Sequence, residues 1–562
     1  MRREPTKRHP SWACGVACAI ALSGCTAKYY QHAADKAAYR LISQKSRGVT
    51  NMEPHFTIEQ TNVLRLAGLP VARQVEEYLG AAAESERGAA ILSMEDALAM
   101  AIKNNRTYQN SKEQLYISAL ALSLAQHQFA PIFSGGGSAT VNGPAPPLSD
   151  GVAEQLDAKG NAGASWLVRD LGKITGAFTT DFLRFLAGNP SSVISSELGA
   201  TFTRPLLRNA GYKTDIENLT QAERNLLYAV RDFVRTRKDF SVQVASAYYD
   251  VLGSRDFIRN SFMNLQSSRL SAAQKRAWAD EGRATQTDLG RLEQQELSAE
   301  STWIGAIRTY LRALDDFKIQ QLGIPVESKI VLADRELQQL GIKIPALSVD
   351  DAIKIALAAR LDYQNIQDRY DDSLRQVKLA ADQLKPDLTL TAGASMSQKR
   401  AEGFAVPDPH NYNWNAGLAL DLPFERTRER NNYRTALITQ DRAARAASLQ
   451  KDQIQLDIRE GFRSLDETRR SYEISAIGVK LAERRVDEQN LLAELGRAKA
   501  QDQVDAQNAF ADSKNSLTQA LVRHTKARLG FWRDMGILFI KENGQWEEMK
   551  ATAQAANTNP AK

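Results

Sequence analysis

The chain of 562 residues has only three cysteines, Cys14, Cys18 and Cys25, and all of them lie in its first 25 residues. The rest of the sequence therefore has no thiol for a disulfide, a zinc site or a nucleophile. Its six histidines are scattered and form no pair at helical spacing, so we predict no metal site. Phosphate-binding glycine loops, dinucleotide fingerprints and Gly-x-Ser-x-Gly motifs are absent too. These absences predict a protein that is not an enzyme and holds no cofactor.

Long apolar runs are also missing. After residue 24, no run reaches the roughly 20 apolar residues that a helix needs to cross a bilayer. The formal net charge is only +6 for a chain with 25% charged residues, so the composition does not support nucleic-acid binding.

Residues 1–24 have the features of a bacterial lipoprotein signal peptide. A basic start is followed by an apolar stretch from Trp12 to Leu22. It ends in Leu22-Ser23-Gly24-Cys25, which resembles a lipobox, so Cys25 is expected to become a lipidated N-terminus. An ordinary secretory signal with incidental cysteines is the alternative. Because Thr26 stands where an inner-membrane retention signal resembles an aspartate, the outer membrane is the expected destination.

The sequence contains a long internal repeat. The segment from Leu92 to Pro131 matches the segment from Leu347 to Pro386 without a gap, 255 positions further along. A Gly-x5-Pro spacing then ends at Pro205 and again at Pro423. The last match is a Gly-Arg-Ala followed by aspartate: Gly282, Arg283, Ala284 and Asp288 in the first repeat, and Gly496, Arg497, Ala498 and Asp502 in the second. Such a repeat predicts one structural unit used twice, side by side.

Each repeat is predicted to contain a helix, a strand pair and a long helical hairpin. The first helix is expected from about Ser93 to Gln128, with Ser93 near its N-cap. In the second repeat, residues 387–396 and 413–422 alternate strictly between apolar and polar side chains. This pattern is typical of strands in a membrane β-barrel, and a hairpin half-buried in a soluble core is the alternative.

The strand region of the first repeat is longer and less regular. It covers 74 positions from Pro131 to Pro205, against 37 from Pro386 to Pro423. Residues 198–203 alternate clearly, whereas the segment after Pro131 is rich in glycine. The excess in residues 132–204 is compatible with a surface loop, an extended strand pair or a small cap.

Proline is absent from residues 206–324 and 424–559, which are rich in Ala, Gln, Arg, Glu and Leu. Such composition predicts long helices, and Gly282 and Gly496 near their midpoints predict a turn in each. An isolated coiled-coil rod would explain these helices but has no need of strand pairs or a lipid anchor.

The expected organisation has six segments. They are the signal peptide (1–24), a lipid-anchored N-terminal arm (25–90), the first repeat (91–325), a linker (326–345), the second repeat (346–540) and a polar C-terminal tail (541–562).

The lipobox, the duplicated helix–strand–strand–hairpin unit and the paired Gly-Arg-Ala tips together resemble the TolC family of outer-membrane efflux proteins over about residues 90–540. The resemblance implies a mainly α fold with membrane β-structure. It further implies a homotrimer in which each chain gives four strands to a twelve-stranded β-barrel, with a long periplasmic α-helical barrel below. The implied partners are a periplasmic adaptor protein and an inner-membrane pump of the RND or ABC type. Strand number points independently to an assembly, because four strands are too few to close a membrane barrel.

The resemblance also indicates a site. In the family, two aspartates six and nine positions after the second tip glycine line the closed periplasmic end, and here those positions are Asp502 and Asp505. Three chains would gather six carboxylates, a ring that favours cations. The first tip has Asp288 but Arg291 at the matching positions. Read from spacing alone, Asp502 and Asp505 are also compatible with ordinary solvated carboxylates on one helix face.

Arg283 and Arg497 are candidates for a latch between hairpins or for adaptor docking, although the latch arginine of the family corresponds to Ala498 here. The function predicted on these grounds is a passive outer-membrane exit duct of a tripartite efflux or type I secretion system, gated at its periplasmic tips. The alternative is a non-conducting, lipid-anchored helical rod.

Overall fold

The computed structural model describes residues 27–59, 66–143, 155–185, 192–401, 405–495, 497–541 and 544–548. The predicted signal peptide, the lipidation site Cys25 and the tip residue Gly496 lie outside these residues. Within the described part of the chain, no helix is both long and apolar enough to cross a membrane.

The first half of the chain contains five strands and six helices among its described elements. In order they are α1 (Ala27–Ser46), a 3₁₀ turn (Glu77–Ala82), α2 (Ala83–Glu86), β1 (Ala90–Leu92), α3 (Met94–Asn104), α4 (Arg106–His127), β2 (Ile132–Asn142), β3 (Gln155–Val168), β4 (Gly172–Phe185), β5 (Ser192–Pro205), α5 (Lys213–Asp280), α6 (Gln286–Asp316) and a π-helical turn (Phe317–Leu322).

The second half follows the same plan. Its described elements are β6 (Ile330–Leu332), α7 (Arg335–Gln338), α8 (Val349–Ala359), α9 (Leu361–Asp382), β7 (Asp387–Arg400), β8 (Tyr412–Asp421), α10 (Thr427–Glu494), α11 (Ala500–Asp534), β9 (Leu538–Ile540) and β10 (Trp546–Glu548).

The predicted repeat is confirmed element by element. α3 and α8 each have 11 residues, α4 and α9 each have 22, and α5 and α10 each have 68. Both repeats begin with the same cap, in which the hydroxyl of Ser93 or Ser348 accepts a hydrogen bond from the backbone N–H three residues on. This bond satisfies one of the free N–H groups at each helix start.

The prediction of one continuous helix from Ser93 to Gln128 is wrong. The chain is extended at Asn105, between α3 and α4, with ψ of 125°. The Asn105 side chain explains the break, since its Oδ1 accepts from the Tyr108 N–H at 3.0 Å and its Nδ2 donates to the carbonyls of Gln320 and Gln321. The second repeat has the same break at Arg360.

The described residues divide into two compact units. The first comprises the described residues within 27–48, 115–229 and 372–438, and the second comprises the described residues within 49–114, 230–371 and 439–548.

The first unit contains one antiparallel sheet of six strands in the order β2-β3-β4-β5-β7-β8. The expectation of four strands per chain is therefore corrected to six. The excess in residues 132–204 is a strand pair, because β3 and β4 pair with each other and are inserted between β2 and β5. Pro205 ends β5, and Pro423 follows β8 before α10 begins, as the repeat predicted.

The two faces of this sheet differ in polarity. The register of the pairs sets Leu388 beside Leu420, Leu390 beside Leu418 and Ala394 beside Trp414 on one face. The residues between them are Thr389, Thr391 and Ser395, opposite Ala419, Gly417 and Asn413. Since side chains alternate across a strand, one face is apolar and the other mainly polar.

In the second unit, the later part of the N-terminal arm packs against the first helical hairpin, which is formed by α5 and α6. β1 pairs in parallel with β6, which lies inside the predicted linker. Glu86 is buried. Its carboxylate forms an ion pair with the Arg255 guanidinium at 2.8 Å and accepts a hydrogen bond from the Tyr310 hydroxyl at 2.7 Å. Burial raises the pKa of the Glu86 carboxyl, while the charge of Arg255 opposes that shift. β9 and β10 form a short antiparallel pair across the predicted start of the C-terminal tail.

Candidate functional site

The first hairpin tip is a tight turn between α5 and α6. Gly282 has a φ of 74°, a left-handed conformation that glycine adopts without steric cost. Its N–H donates to the Ala279 carbonyl at 2.9 Å, and the Arg283 N–H donates to the Trp278 carbonyl at 2.7 Å. The turn predicted at Gly282-Arg283-Ala284 is confirmed.

Asp288 has a capping contact at this tip. Its backbone N–H donates to Thr285 Oγ1 at 3.1 Å, and that hydroxyl donates to Asp288 Oδ2 at 2.9 Å. Arg283 forms an ion pair with Glu281 at 3.1 Å and lies 5.9 Å from the centre of the Trp278 ring. The contacts of Asp288 and Arg283 described here are all with residues of the same hairpin tip. A latch between hairpins that involves Arg283 therefore stays a prediction.

The second hairpin tip joins α10 to α11. The backbone N–H groups of Arg497 and Ala498 donate to the Leu492 carbonyl at 2.8 and 3.1 Å, which closes the end of α10. Asp502 is in the first turn of α11 and Asp505 is one turn further on. Asp505 is exposed and Asp502 is half-buried, so both stand apart from the buried face of the helix. The positive end of the helix dipole favours carboxylates there.

The buried face of α11 packs on the first hairpin. Ala500 is fully buried in a small cluster with Ala272 of α5 and Leu292 of α6, and Val504 packs against that cluster. Small side chains at these positions let the helices approach closely. The start of α11 is thus held to both helices of the first hairpin.

Paired amides add polar contacts along the same face. Gln295 and Asn508 exchange two hydrogen bonds of 2.6 and 3.2 Å, and Gln507 donates to Ser271 Oγ at 2.8 Å. Gln295 and Gln507 are buried, so separating the helices would leave their amides without partners unless water entered.

A chain of hydrogen bonds connects Asp505 to the first hairpin. Arg291 Nη1 donates to Gln501 Oε1 at 3.1 Å, and Gln501 Nε2 donates to Asp505 Oδ1 at 2.9 Å. Arg291 and Asp505 occupy matching positions of the two repeats, and Gln501 joins them. We did not predict Gln501, whose only sequence signal is its position one helical turn before Asp505. Within the described ranges, no group of histidine, cysteine, aspartate and glutamate side chains is arranged to hold a metal.

No protein-family model matches the chain, and no curated protein matches it in sequence. Solved structures share its fold. They include the outer membrane protein VceC from Vibrio cholerae, with 14% identity, a TM-score of 0.59 and coverage of 79% of this chain and 96% of that one. The Campylobacter jejuni CmeC outer membrane channel has 12% identity, a TM-score of 0.58 and coverage of 90% and 97%.

The open state of the Neisseria gonorrhoeae MtrE outer membrane channel also matches, with 12% identity, a TM-score of 0.57 and coverage of 79% of this chain and 89% of that one. These structures are matched over 89–97% of their own length. The chain therefore has the fold that its repeat predicted, that of the TolC-like outer-membrane channels.

Proposed function

We propose that three copies of this chain form a passive exit duct through the outer membrane, gated at the tips of the helical hairpins. The observation that carries the proposal is the sheet of the first unit, with one apolar and one mainly polar face. A wall with lipid on one side and water on the other needs this division. A structural rod has no use for it.

The shared fold supports the same function. CmeC and MtrE are described as outer membrane channels, and MtrE was captured in an open state. A passive duct supplies no energy for transport, so we propose a periplasmic adaptor and an inner-membrane pump of the RND or ABC type as partners. Lipid attached to Cys25 would hold each chain to the outer membrane.

The gate would lie at the start of α11. Threefold symmetry would gather the Asp502 and Asp505 carboxylates of three chains into one ring, which would favour cations. Opening would move the second hairpin away from the first, and the cluster around Ala500 and the bonds from Arg291 to Asp505 would oppose that movement.

Single-channel conductance in planar bilayers tests this proposal. We expect the wild-type protein to give a small conductance that prefers cations. The double variant Asp502→Ala/Asp505→Ala should conduct more and lose that preference, because six carboxylates leave the narrowest ring.

The matched control is Glu483→Ala/Asp512→Ala, which removes the same charge from exposed positions of α10 and α11 away from the tip. It should behave as the wild type does. A folded, lipidated oligomer that never conducts would refute the duct and favour the rod. A pore indifferent to the loss of Asp502 and Asp505 would refute only the assigned ring.

A further inference from the structure

The sheet has six strands, two more than the resemblance to the TolC family implies. The inference drawn from these two extra strands rests on the proposed function. We propose that β3 and β4 belong to the transmembrane wall, so that three copies close a barrel of eighteen strands. In this barrel β8 of one copy pairs with β2 of the next. The occupant of each open sheet edge is thus a second copy of this chain.

The apolar face of the sheet continues through β3 and β4, and it is broken only locally where the hydroxyls of Thr180 and Ser196 bond to each other at 3.0 Å. The pairing sets Trp166 beside Ile174, Ala162 beside Phe178 and Ala158 beside Phe182. It then sets Phe178 beside Leu198, whose other neighbour is Met396 of β7. A hairpin that stood in water as a cap or loop would have no reason to extend this lipid-facing surface.

The opposite face of the inserted pair is polar, as the lumen side of a wall should be. It includes Lys159 beside Asp181, Asn161 beside Thr179 and Ser165 beside Thr175. Lys159 also forms an ion pair with Asp157 at 3.1 Å on this face. The inserted strands therefore keep the same inside and outside as their neighbours.

Strand length agrees with a membrane position. β3 and β4 each have 14 residues, β2 has 11 and β8 has 10. A tilted strand needs about 9–11 residues to cross the hydrocarbon layer. All six strands of the sheet reach that length, because β5 and β7 also have 14 residues each.

The two outer strands of the sheet are open. Every residue of β2 and every residue of β8 is exposed, in contrast to the largely half-buried β7. In lipid, the unpaired N–H and C=O groups along such edges must find partners. Six alternating strands make β2 and β8 antiparallel, so β8 of one copy can continue the antiparallel order at β2 of the next.

The repeat supplies a register for this junction. β5 and β8 are equivalent strands that end at Pro205 and before Pro423, and β2 and β7 are equivalent strands that begin after Pro131 and Pro386. Within the chain, β5 pairs with β7 so that Thr201 faces Gly393. Carried over to the junction, this register sets Ala419 of one copy opposite Ser138 of the next, and it brings Leu418 beside Ala139 on the apolar face.

Barrel diameter grows about linearly with strand number. At equal strand tilt, an eighteen-stranded wall would therefore be about half as wide again as a twelve-stranded one. The strand section would admit bulkier cargo than a twelve-stranded duct, and the hairpin tips alone would limit passage.

Disulfide trapping in the full-length protein tests whether β3 and β4 lie in the wall. The natural cysteines outside the signal segment are limited to Cys25, so the background is low. Ser138→Cys/Lys159→Cys should form a bond within each chain, because these residues are directly paired. If β3 and β4 stood outside the wall, β2 would pair with β5 instead. The register of β7 with β8 would then set Ser138 opposite Glu197.

The variant Ser138→Cys/Glu197→Cys therefore tests the arrangement in which β2 pairs with β5. We expect no disulfide between positions 138 and 197. Bonds would be identified by mass spectrometry of peptides from outer membranes, and conductance after reduction would verify that each variant is folded. A bond between positions 138 and 197, with none between 138 and 159, would overturn the eighteen-stranded wall. If that variant still conducted, the proposed duct would survive.

A second pair tests the junction between copies. Ser138→Cys/Ala419→Cys should give covalent dimers and trimers on non-reducing gels. Ser138→Cys/Asn413→Cys is its control, since position 413 lies six residues, or roughly 20 Å, from the predicted partner. Conducting oligomers that show no bond between positions 138 and 419, or an equal yield in the control, would overturn the junction.

Discussion

At the scale of single side chains, Asp372 of the first unit is surrounded by hydrogen-bond donors. Its buried carboxylate accepts hydrogen bonds from Tyr228 Oη at 2.6 Å, Arg375 Nη2 at 2.7 Å and Gln221 Nε2 at 3.0 Å. Burial alone would raise the pKa of Asp372, but these donors and the charge of Arg375 outweigh it and hold the pKa below its ordinary value of 3.8.

We expect Asp372→Ala to destabilise the protein by about 1–3 kcal/mol at pH 7, because it removes the acceptor of the short Tyr228 bond and one of the two carboxylates that pair with Arg375, which keeps Glu217 at 3.0 Å. A carboxyl whose folded pKa is lowered stabilises the fold above its unfolded pKa and loses that effect as pH falls through the folded pKa. The difference in melting temperature between wild type and variant, followed by circular dichroism, should therefore shrink below about pH 4. Equal melting at pH 7 would contradict this account.

Residue-level patterns explain why some features of the site escaped prediction. The six- and nine-residue offsets located Asp502 and Asp505 on α11, but Gln501 acts through Arg291, which is far away in sequence. Asn105 ends a helix by bonding to the carbonyls of Gln320 and Gln321, again distant partners. Local periodicity has no access to such contacts.

At the scale of the elements, the proposed gate depends on the contact between α11 and the first hairpin. Near the tip, its apolar part is the cluster around Ala500, Ala272 and Leu292. Next to this cluster, side-chain amides form hydrogen bonds, between Gln295 and Asn508 and from Gln507 to the Ser271 hydroxyl. When the helices separate, side-chain amides can form hydrogen bonds with water in place of each other, so this contact would suit a hairpin that moves away and returns.

We expect Arg291→Ala to raise the fraction of time the duct is open by about 2- to 10-fold, which corresponds to the loss of one hydrogen bond of roughly 0.5–1.5 kcal/mol. Single-channel recording would measure it. The control is Arg312→Ala, which removes an exposed arginine of the same helix that pairs with Asp316 one turn away, and it should leave gating unchanged. No difference between the two variants would rule out the Arg291 contact as part of the gate.

The elements themselves were largely predictable. Two proline-free stretches and the matched tips predicted the long helical hairpins, and the alternation of apolar and polar residues predicted β7 and β8. β3 was not assigned because alanine and glycine occupy much of its apolar face, as at Gly160, Ala162 and Ala164. Such residues give little contrast between faces, and only the pairing with β2 and β4 shows their register.

For the molecule as a whole, the predicted lipid anchor would determine where the proposed duct lies in the membrane. If Cys25 is the lipidated N-terminus, α1 begins two residues after it, close to the membrane surface. We expect Cys25→Ser to abolish palmitate labelling in cells and to lower the amount of protein in the outer membrane. Labelling that persists in this variant would refute the anchor.

Pairing between the repeats has a consequence for how the protein is made. β5 has its second neighbour in β7, and β1 has its partner in β6, so these two strands of the first repeat must wait for residues synthesised much later. Contacts this distant form slowly, and a waiting strand edge invites pairing with the wrong chain. The two repeats are thus expected to fold together as one cooperative unit. A chaperone of the cell envelope would matter most while the edge of β5 is exposed and waits for β7.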